Sequence, residues 1–162
     1  MFAAHSVGWR IDVKEGEVIE LEIPSEPEYV SVVRRAIEGI AQRMRFNDLQ
    51  IEDLKVAVGE ACTNAVKYGC PKNSSHGVTI RCVIKPDGLL VEVRNNISGC
   101  SAPTIPGEPD LRKEGGLGLY LIRALMDDVS LEWKDETAIV RMVKRISPSS
   151  AQSDNREKVI TQ

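Results

Sequence analysis

The chain has 162 residues, of which 42% are apolar, 28% are charged and only 4% are aromatic, and its formal net charge is −3. These values predict a single domain with a mainly aliphatic core. They argue against direct nucleic-acid binding, because the sequence contains no long basic run. The N-terminal stretch lacks the basic start and apolar centre of a secretory signal, and no apolar run is long enough to span a bilayer. We therefore expect a cytoplasmic protein with no membrane partner.

The elements of the first half follow from their periodicity. Residues 18–23 alternate and are rich in β-branched side chains, which predicts a strand. Residues 27–46 predict a helix, whose opposite face is either solvated or a basic surface for an acidic partner. Asn47 and Asp48 can cap a second helix over 51–68. The first helix has an apolar stripe of Val30, Val33, Ile37, Ile40 and Met44, and its basic residues are Arg34, Arg35 and Arg43.

The second half predicts two hairpins around a long loop and a third helix. Strands at 78–84 and 89–95 flank an Asp87-Gly88 turn signal. Residues 98–116 are rich in proline and glycine, and a loop of that length is usually functional or mobile. A glycine-opened helix and a hairpin turning near Asp135 follow. We expect an N-terminal tail (1–9), one domain (10–146) and a disordered C-terminal tail (147–162). The predicted fold is an α+β two-layer sandwich, with a mixed, mostly antiparallel sheet and helices on one face.

The four cysteines do not indicate a metal site. They form no C-x-x-C pair, and their spacings match no common zinc pattern. Buried or half-buried thiols are the simpler interpretation, and a reducing cytoplasm disfavours disulfides. The four are Cys62, Cys70, Cys82 and Cys100.

The stretch EACTNAVKYG, residues 60–69, carries the first functional signal. Glu60 and Asn64 are four residues apart on a helix and therefore project together, and Lys67 continues roughly the same face. A carboxylate beside an amide oxygen suits Mg²⁺, and a carboxylate near a phosphate can accept a proton from an attacking hydroxyl. Most charged helix positions are simply exposed, so the pair alone decides nothing.

Two further stretches point to a ligand. In EGGLGLYLI, residues 114–122, the glycines Gly115, Gly116 and Gly118 open an apolar helix, which is either a phosphate site or a flexible hinge. No Walker motif is present, and no strand comes directly before these glycines. In VEVRNNISGC, residues 91–100, Asn95 stands at a strand end, where the alternative interpretation is a plain turn.

The stretches LKVAVGEACTNAVKYG and EGGLGLYLIRALMDDV, in this order, resemble the GHKL (histidine-kinase-like) ATPase superfamily. Within it, the chain is similar to the bacterial anti-sigma-factor serine/threonine-protein kinases. The resemblance implies ATP and Mg²⁺ as cofactors, Glu60 as the general base toward a substrate serine, and Asn64 as the Mg²⁺ ligand. It also implies a sigma factor and a STAS-domain anti-sigma antagonist as partners, and a homodimer. The other implied nucleotide-binding residues are Lys67, Asn95, Gly99, Arg112, Gly115, Gly116, Leu117 and Gly118.

The sequence departs from the family pattern at the adenine-binding box. The family has Asp-x-Gly-x-Gly where this chain has Asn95-Asn96-Ile97-Ser98-Gly99. An asparagine can still accept and donate hydrogen bonds to a base, but Ile97 resists a positive φ and crowds the backbone. Three hypotheses follow: a kinase, a non-catalytic partner-binding module that binds nucleotide poorly, and a stand-alone ATP hydrolase. The retained Glu60 favours the kinase, and the absence of a transducer segment disfavours the hydrolase.

Overall fold

The computed structural model describes residues 16–68, 77–96 and 116–147. The predicted element order is confirmed. Residues 98–115 of the predicted long loop, the N-terminal tail (1–9) and residues 148–162 of the C-terminal tail lie outside the described residues, and residue 116 begins the third helix. The elements are β1 (Glu17–Ile23), a short 3₁₀ turn (Pro27–Tyr29), α1 (Val30–Arg43), α2 (Asp48–Tyr68), β2 (Val78–Lys85), β3 (Gly88–Asn96), α3 (Gly116–Leu125), β4 (Asp128–Lys134) and β5 (Thr137–Arg145).

The five strands form one sheet in the order β1-β2-β3-β5-β4, and each pairing is antiparallel. The sequence predicts a mixed, mostly antiparallel sheet, whereas every pairing between the described strands is antiparallel. Two-residue turns connect β2 to β3 and β4 to β5, and such short connections allow only antiparallel neighbours.

The two hairpins turn at slightly different places relative to their sequence signals. The first turns on Pro86 and Asp87, and Gly88 already belongs to β3. A Cβ on Gly88 would lie 2.5 Å from a backbone carbonyl of β5, so this glycine permits close strand packing and is not itself a turn residue. The second hairpin turns through Asp135 and Glu136, which have positive φ values of 50° and 62°. That geometry is typical of tight hairpins and confirms the predicted turn.

All three helices pack on one face of the sheet, where alternate residues of each strand point toward them. The helix α1 buries Val33 and Ile37 of the predicted stripe, whereas Ile40 and Met44 are only partly buried. No helix in the described ranges is long and apolar enough to cross a membrane. Other core residues include Leu54, Val58, Ile80, Val91, Ile122 and Met142.

Cys62 on α2 and Cys82 on β2 are buried in this core. Burial raises the pKa of each thiol to about 12. At neutral pH both side chains are therefore protonated and chemically inert, and they act as small apolar residues. This confirms the prediction of buried thiols for these two; Cys70 and Cys100 lie outside the described residues.

The start of α2 is fixed by a reciprocal cap. Asn47 Oδ1 accepts a hydrogen bond from the backbone N–H of Gln50 at 2.8 Å, and Gln50 Oε1 accepts one from the backbone N–H of Asn47 at 3.3 Å. Such a capping box satisfies two backbone donors at the helix N-terminus. Lys55 also joins α2 to Glu38 of α1 at 3.6 Å. These contacts stabilise the start of α2 and its packing on α1.

The opposite face of the sheet contains a charged cluster centred on Glu92 of β3. Glu92 is only 1% exposed, and it lies between Arg81 of β2 and Arg141 of β5 in the sheet register. Arg141 Nε donates to Glu92 Oε1 at 2.8 Å, Arg94 Nη2 donates to Oε2, and Arg81 Nη1 lies 3.6 Å from Oε2. Arg141 also pairs with Glu132. A carboxylate that simple alternation would place in solvent is thus buried by its cross-strand neighbours.

Candidate active site

Glu60 and Asn64 lie one turn apart on α2 and are both half-buried. The intervening Ala61 and Cys62, and Ala65 beyond them, are buried in the core. The two polar side chains therefore stand at the border of the core, and each residue keeps part of its surface exposed. That location excludes the interpretation of a fully solvated helix face.

The N-terminal turn of α3 lies directly against this pair. A Cβ built on Gly118 would be 3.2 Å from Glu60 Oε2, 3.1 Å from Asn64 Nδ2 and 3.4 Å from Asn64 Oδ1. Contacts of that length are tighter than about nine in ten real Cβ contacts, so only a glycine permits this approach without displacing a neighbour. The structure thus brings together two signals that are far apart in the sequence.

The end of β3 contacts α2 at the same level. Asn95 Nδ2 donates a hydrogen bond to the backbone carbonyl of Ala65 at 3.3 Å. Because Ala65 directly follows Asn64, the strand end and the polar pair are neighbours. The amide nitrogen of Asn95 faces the helix, which leaves its Oδ1 as the group available to accept a hydrogen bond.

The remaining predicted site residues divide into two groups. Gly116 begins α3, Leu117 is 60% exposed, and Lys67 is exposed in the last turn of α2. The structure therefore brings Gly118, and not the exposed Leu117 side chain, against the polar pair. The others, Gly99, Arg112 and Gly115, lie outside the described residues.

The sequence interpretation missed a contact between α1 and α2. A Cβ on Gly59 would lie 2.4 Å from Arg34 Nε, so the guanidinium lies directly against this glycine, one residue before Glu60. The sequence predicts Arg34 on a helix face that is either solvated or a basic surface, and it indicates no specific contact. Glycine inside a helix is costly, and its position at 59 was the signal for close approach by a neighbouring group.

Comparison with known proteins agrees with this arrangement. A family model described as a histidine kinase-like ATPase domain matches residues 23–144. The serine-protein kinase RsbW of Oceanobacillus iheyensis is 37% identical over 155 residues, which cover 90% of this chain and 98% of that protein. The RsbW of Bacillus subtilis is 38% identical over 125 residues, which cover 72% and 78% respectively.

The chain belongs to the RsbW family of serine-protein kinases. These are the anti-sigma-factor kinases that the sequence motifs resembled, and that prediction is confirmed. The protein is accordingly an ATP-dependent serine-protein kinase with a histidine kinase-like ATPase domain.

Two solved structures share the RsbW-type fold at low sequence identity. The RsbU and RsbW domains of a Mycobacterium tuberculosis protein align with a TM-score of 0.63 and 14% identity, over 80% of this chain and 32% of that one. The SiaB-SiaC complex of Pseudomonas aeruginosa aligns with a TM-score of 0.58 and 12% identity, over 77% and 88%. These similarities confirm the α+β sandwich.

Gly118→Ala is expected to weaken ATP binding about ten-fold without lowering the stability of the fold. The added methyl group requires Glu60 and Asn64 to move by a few tenths of an ångström, while alanine favours the helix by about 1 kcal/mol over glycine. Calorimetric titration and thermal unfolding measure the two effects. Gly39→Ala on α1 is the matched control, because nothing lies within 4 Å of its Cβ position. Unchanged ATP affinity in Gly118→Ala would show that the close contact of Gly118 with Glu60 and Asn64 does not matter for ATP binding.

Proposed function

We propose that this protein transfers the γ-phosphoryl group of Mg-ATP to a serine of a STAS-domain anti-sigma antagonist, and that it sequesters a sigma factor. The observation that carries the proposal is the convergence of Gly118 on Glu60 and Asn64. It unites a helix N-terminus, a carboxylate and an amide, which are the groups that phosphoryl transfer to a hydroxyl needs.

The donor set fits Mg²⁺. One oxygen of Glu60 and the amide oxygen of Asn64 lie 3.2 Å and 3.4 Å from a single point, the Cβ position of Gly118. Hard oxygen donors of this kind suit a cation that keeps several waters. We assign Asn64 as the residue that would hold the metal. When bound, the ion would neutralise charge on the phosphates.

Glu60 is the proposed general base. Its carboxylate can accept the proton of a serine hydroxyl as that oxygen attacks the γ-phosphorus and ADP leaves, because Oε2 lies 3.2 Å from the Cβ position of Gly118 in the first turn of α3. The first backbone N–H groups of α3 have no partner within the helix, so they can donate to phosphate oxygens. Lys67, one turn beyond Asn64, would add a positive charge near the phosphates.

Asn95 is proposed to bind the adenine base. Its Nδ2 is held by the Ala65 carbonyl, so its Oδ1 would accept a hydrogen bond from the exocyclic amine of adenine. An aspartate, the residue of the family pattern, could not donate to that carbonyl. Because Oδ1 of Asn95 remains available as an acceptor, asparagine at this position is compatible with an adenine site. Ile97 lies outside the described residues. Gly99, Arg112, Gly115, Gly116 and Leu117 complete the proposed nucleotide site.

The partners extend this proposal. Phosphorylation of a STAS-domain antagonist and binding of a sigma factor both require a protein-binding surface. We also propose that two copies of the chain form the functional homodimer. Since sigma factors act on RNA polymerase, the proposed location is the cytoplasm.

Asn64→Ala is expected to remove Mg²⁺-dependent ATP binding. The substitution deletes the proposed metal ligand, and calorimetric titration with ATP, with and without Mg²⁺, measures the effect. Asn47→Ala is the matched control, since it removes an asparagine from the other end of the same helix. We expect micromolar, Mg²⁺-sensitive binding in the unmodified protein and in the control, where loss of the cap costs about 1 kcal/mol of stability. No binding by the unmodified protein at millimolar ATP would favour the non-catalytic partner-binding module.

A further inference from the structure

Lys144 of β5 is a buried charge that the proposed chemistry does not use. Lys144 is 8% exposed, and its side chain points to the helix-covered face of the sheet. Its ammonium donates to Asp53 Oδ2 on α2 at 3.1 Å and to the backbone carbonyl of Leu125 on α3 at 2.6 Å. Lysine is rarely buried unless its charge is paired, so these two contacts define its role.

The carbonyl that Lys144 binds belongs to the last residue of α3. The final carbonyls of a helix have no partner within it, and a cation there is also favoured by the helix dipole. Lys144 thereby caps α3 at its C-terminus. Through Asp53 it fastens the same end to α2.

The two ends of α3 are thus tied to one helix. Gly118 lies against Glu60, and seven residues later Leu125 is joined through Lys144 to Asp53, which is seven residues before Glu60. The spacing along both helices is the same, about 10 Å, with the chains running in opposite directions. A slip of one residue would move Gly118 by about 1.5 Å relative to the polar pair.

We propose that Lys144 is a positioning residue for the nucleotide phosphates, because it sets the register of α3 along α2. The expected effect on phosphate binding rests on the proposed function. The placement of the first turn of α3 by Lys144 does not depend on nucleotide binding.

The proposal predicts a selective loss of phosphate binding. Lys144→Met keeps the apolar stem and removes the ammonium, and we expect ATP affinity to fall about 3- to 30-fold, the range typical of coupling through packed elements. Affinity for adenosine should not change, since adenosine lacks phosphates and would contact the end of β3. Calorimetric and NMR titrations with ATP and adenosine measure the two affinities well below the unfolding temperature.

Lys55→Met is the matched control. Lys55 also pairs with carboxylates, Glu52 at 3.0 Å and Glu38 at 3.6 Å, and these ion pairs lie within α2 and between α2 and α1. It should leave both affinities unchanged. Asp53→Asn provides a second variant that keeps the side-chain shape if Lys144→Met fails to fold, and it should produce a smaller loss of ATP affinity in the same direction. Equal losses for ATP and adenosine, or no loss in either variant, would overturn the proposal.

Amide hydrogen exchange in the nucleotide-free protein separates this inference from the proposed function. We expect faster exchange over residues 118–122 in Lys144→Met than in the unmodified protein or in Lys55→Met. If the unmodified protein binds no ATP, the proposed function fails, but the exchange result still decides the placement of α3. Unchanged exchange would show that Lys144 does not set it.

Discussion

Glu60→Gln is expected to lower the rate of phosphoryl transfer to the antagonist by at least about 100-fold. Glutamine has nearly the same shape as glutamate and keeps a hydrogen-bonding oxygen, but it cannot accept a proton at neutral pH. The contact with Gly118 should therefore persist while the base is lost. Single-turnover transfer of labelled γ-phosphate to a STAS-domain antagonist measures the rate, and calorimetry measures ATP affinity, which we expect to change little.

Glu52→Gln is the matched control for this experiment. Glu52 is an exposed carboxylate of the same helix that pairs with Lys55 at 3.0 Å, and the Glu52→Gln variant should transfer phosphate at the normal rate. Partner binding by Glu60→Gln should also persist. Intact transfer in Glu60→Gln would show that another group is the base, whereas joint loss of transfer and ATP binding would indicate a structural role for this carboxylate.

Glu92→Ala is expected to lower the free energy of unfolding by about 3 kcal/mol. The substitution leaves Arg81, Arg94 and Arg141 crowded on one face of the sheet without the carboxylate that they share. Glu92→Gln keeps the shape and an acceptor, so a smaller loss of about 1–2 kcal/mol is expected. Chemical denaturation at pH 7 measures both values. A loss below about 0.5 kcal/mol in Glu92→Ala, the size of an ordinary surface substitution, would contradict a stabilising cluster.

The same cluster predicts a dependence of stability on pH. Burial by itself would raise the pKa of Glu92, but hydrogen bonds from Arg141 and Arg94 outweigh burial and hold the pKa below its ordinary value of 4.5. A carboxyl group whose pKa is lower in the folded state contributes stability above its unfolded pKa and loses it as the pH falls. The stability difference between the unmodified protein and Glu92→Gln should therefore be constant above about pH 5 and shrink below it.

Glu132→Gln serves as the comparison. Its pKa is lowered by the hydrogen bond from Arg141, but this carboxylate is far more exposed, so the loss of stability should be smaller than for Glu92→Gln. Equal losses in the two variants would indicate that burial of Glu92 does not matter.

The local elements could be predicted from the sequence because their signals are local. The apolar stripe of α1, the Asn47 cap of α2 and the turn near Asp135 each depend on a few neighbouring residues. The motif around Glu60 and the glycine-opened helix indicated the family for the same reason. The first hairpin turns one residue earlier than the Asp87-Gly88 signal indicates, because Gly88 belongs to β3 where that strand approaches β5.

Contacts between distant segments were decided by the tertiary structure. Alternation along β3 predicts a solvent-facing Glu92, but only the register of β2, β3 and β5 places arginines on either side of it. The fastening of α3 by Lys144, and the position of Arg34 against Gly59, depend likewise on how separate elements pack.

The sequence by itself determined which residues are candidates for the chemistry and which helices and strands hold them, because side-chain type and periodicity are properties of the local chain. The tertiary structure decided that Gly118 meets Glu60 and Asn64, and that Asn95 is tied to the carbonyl of Ala65. No local pattern encodes those distances. They arise when α2, α3 and the end of β3 bury their apolar faces on one sheet, and that packing fixes the polar groups left at its border.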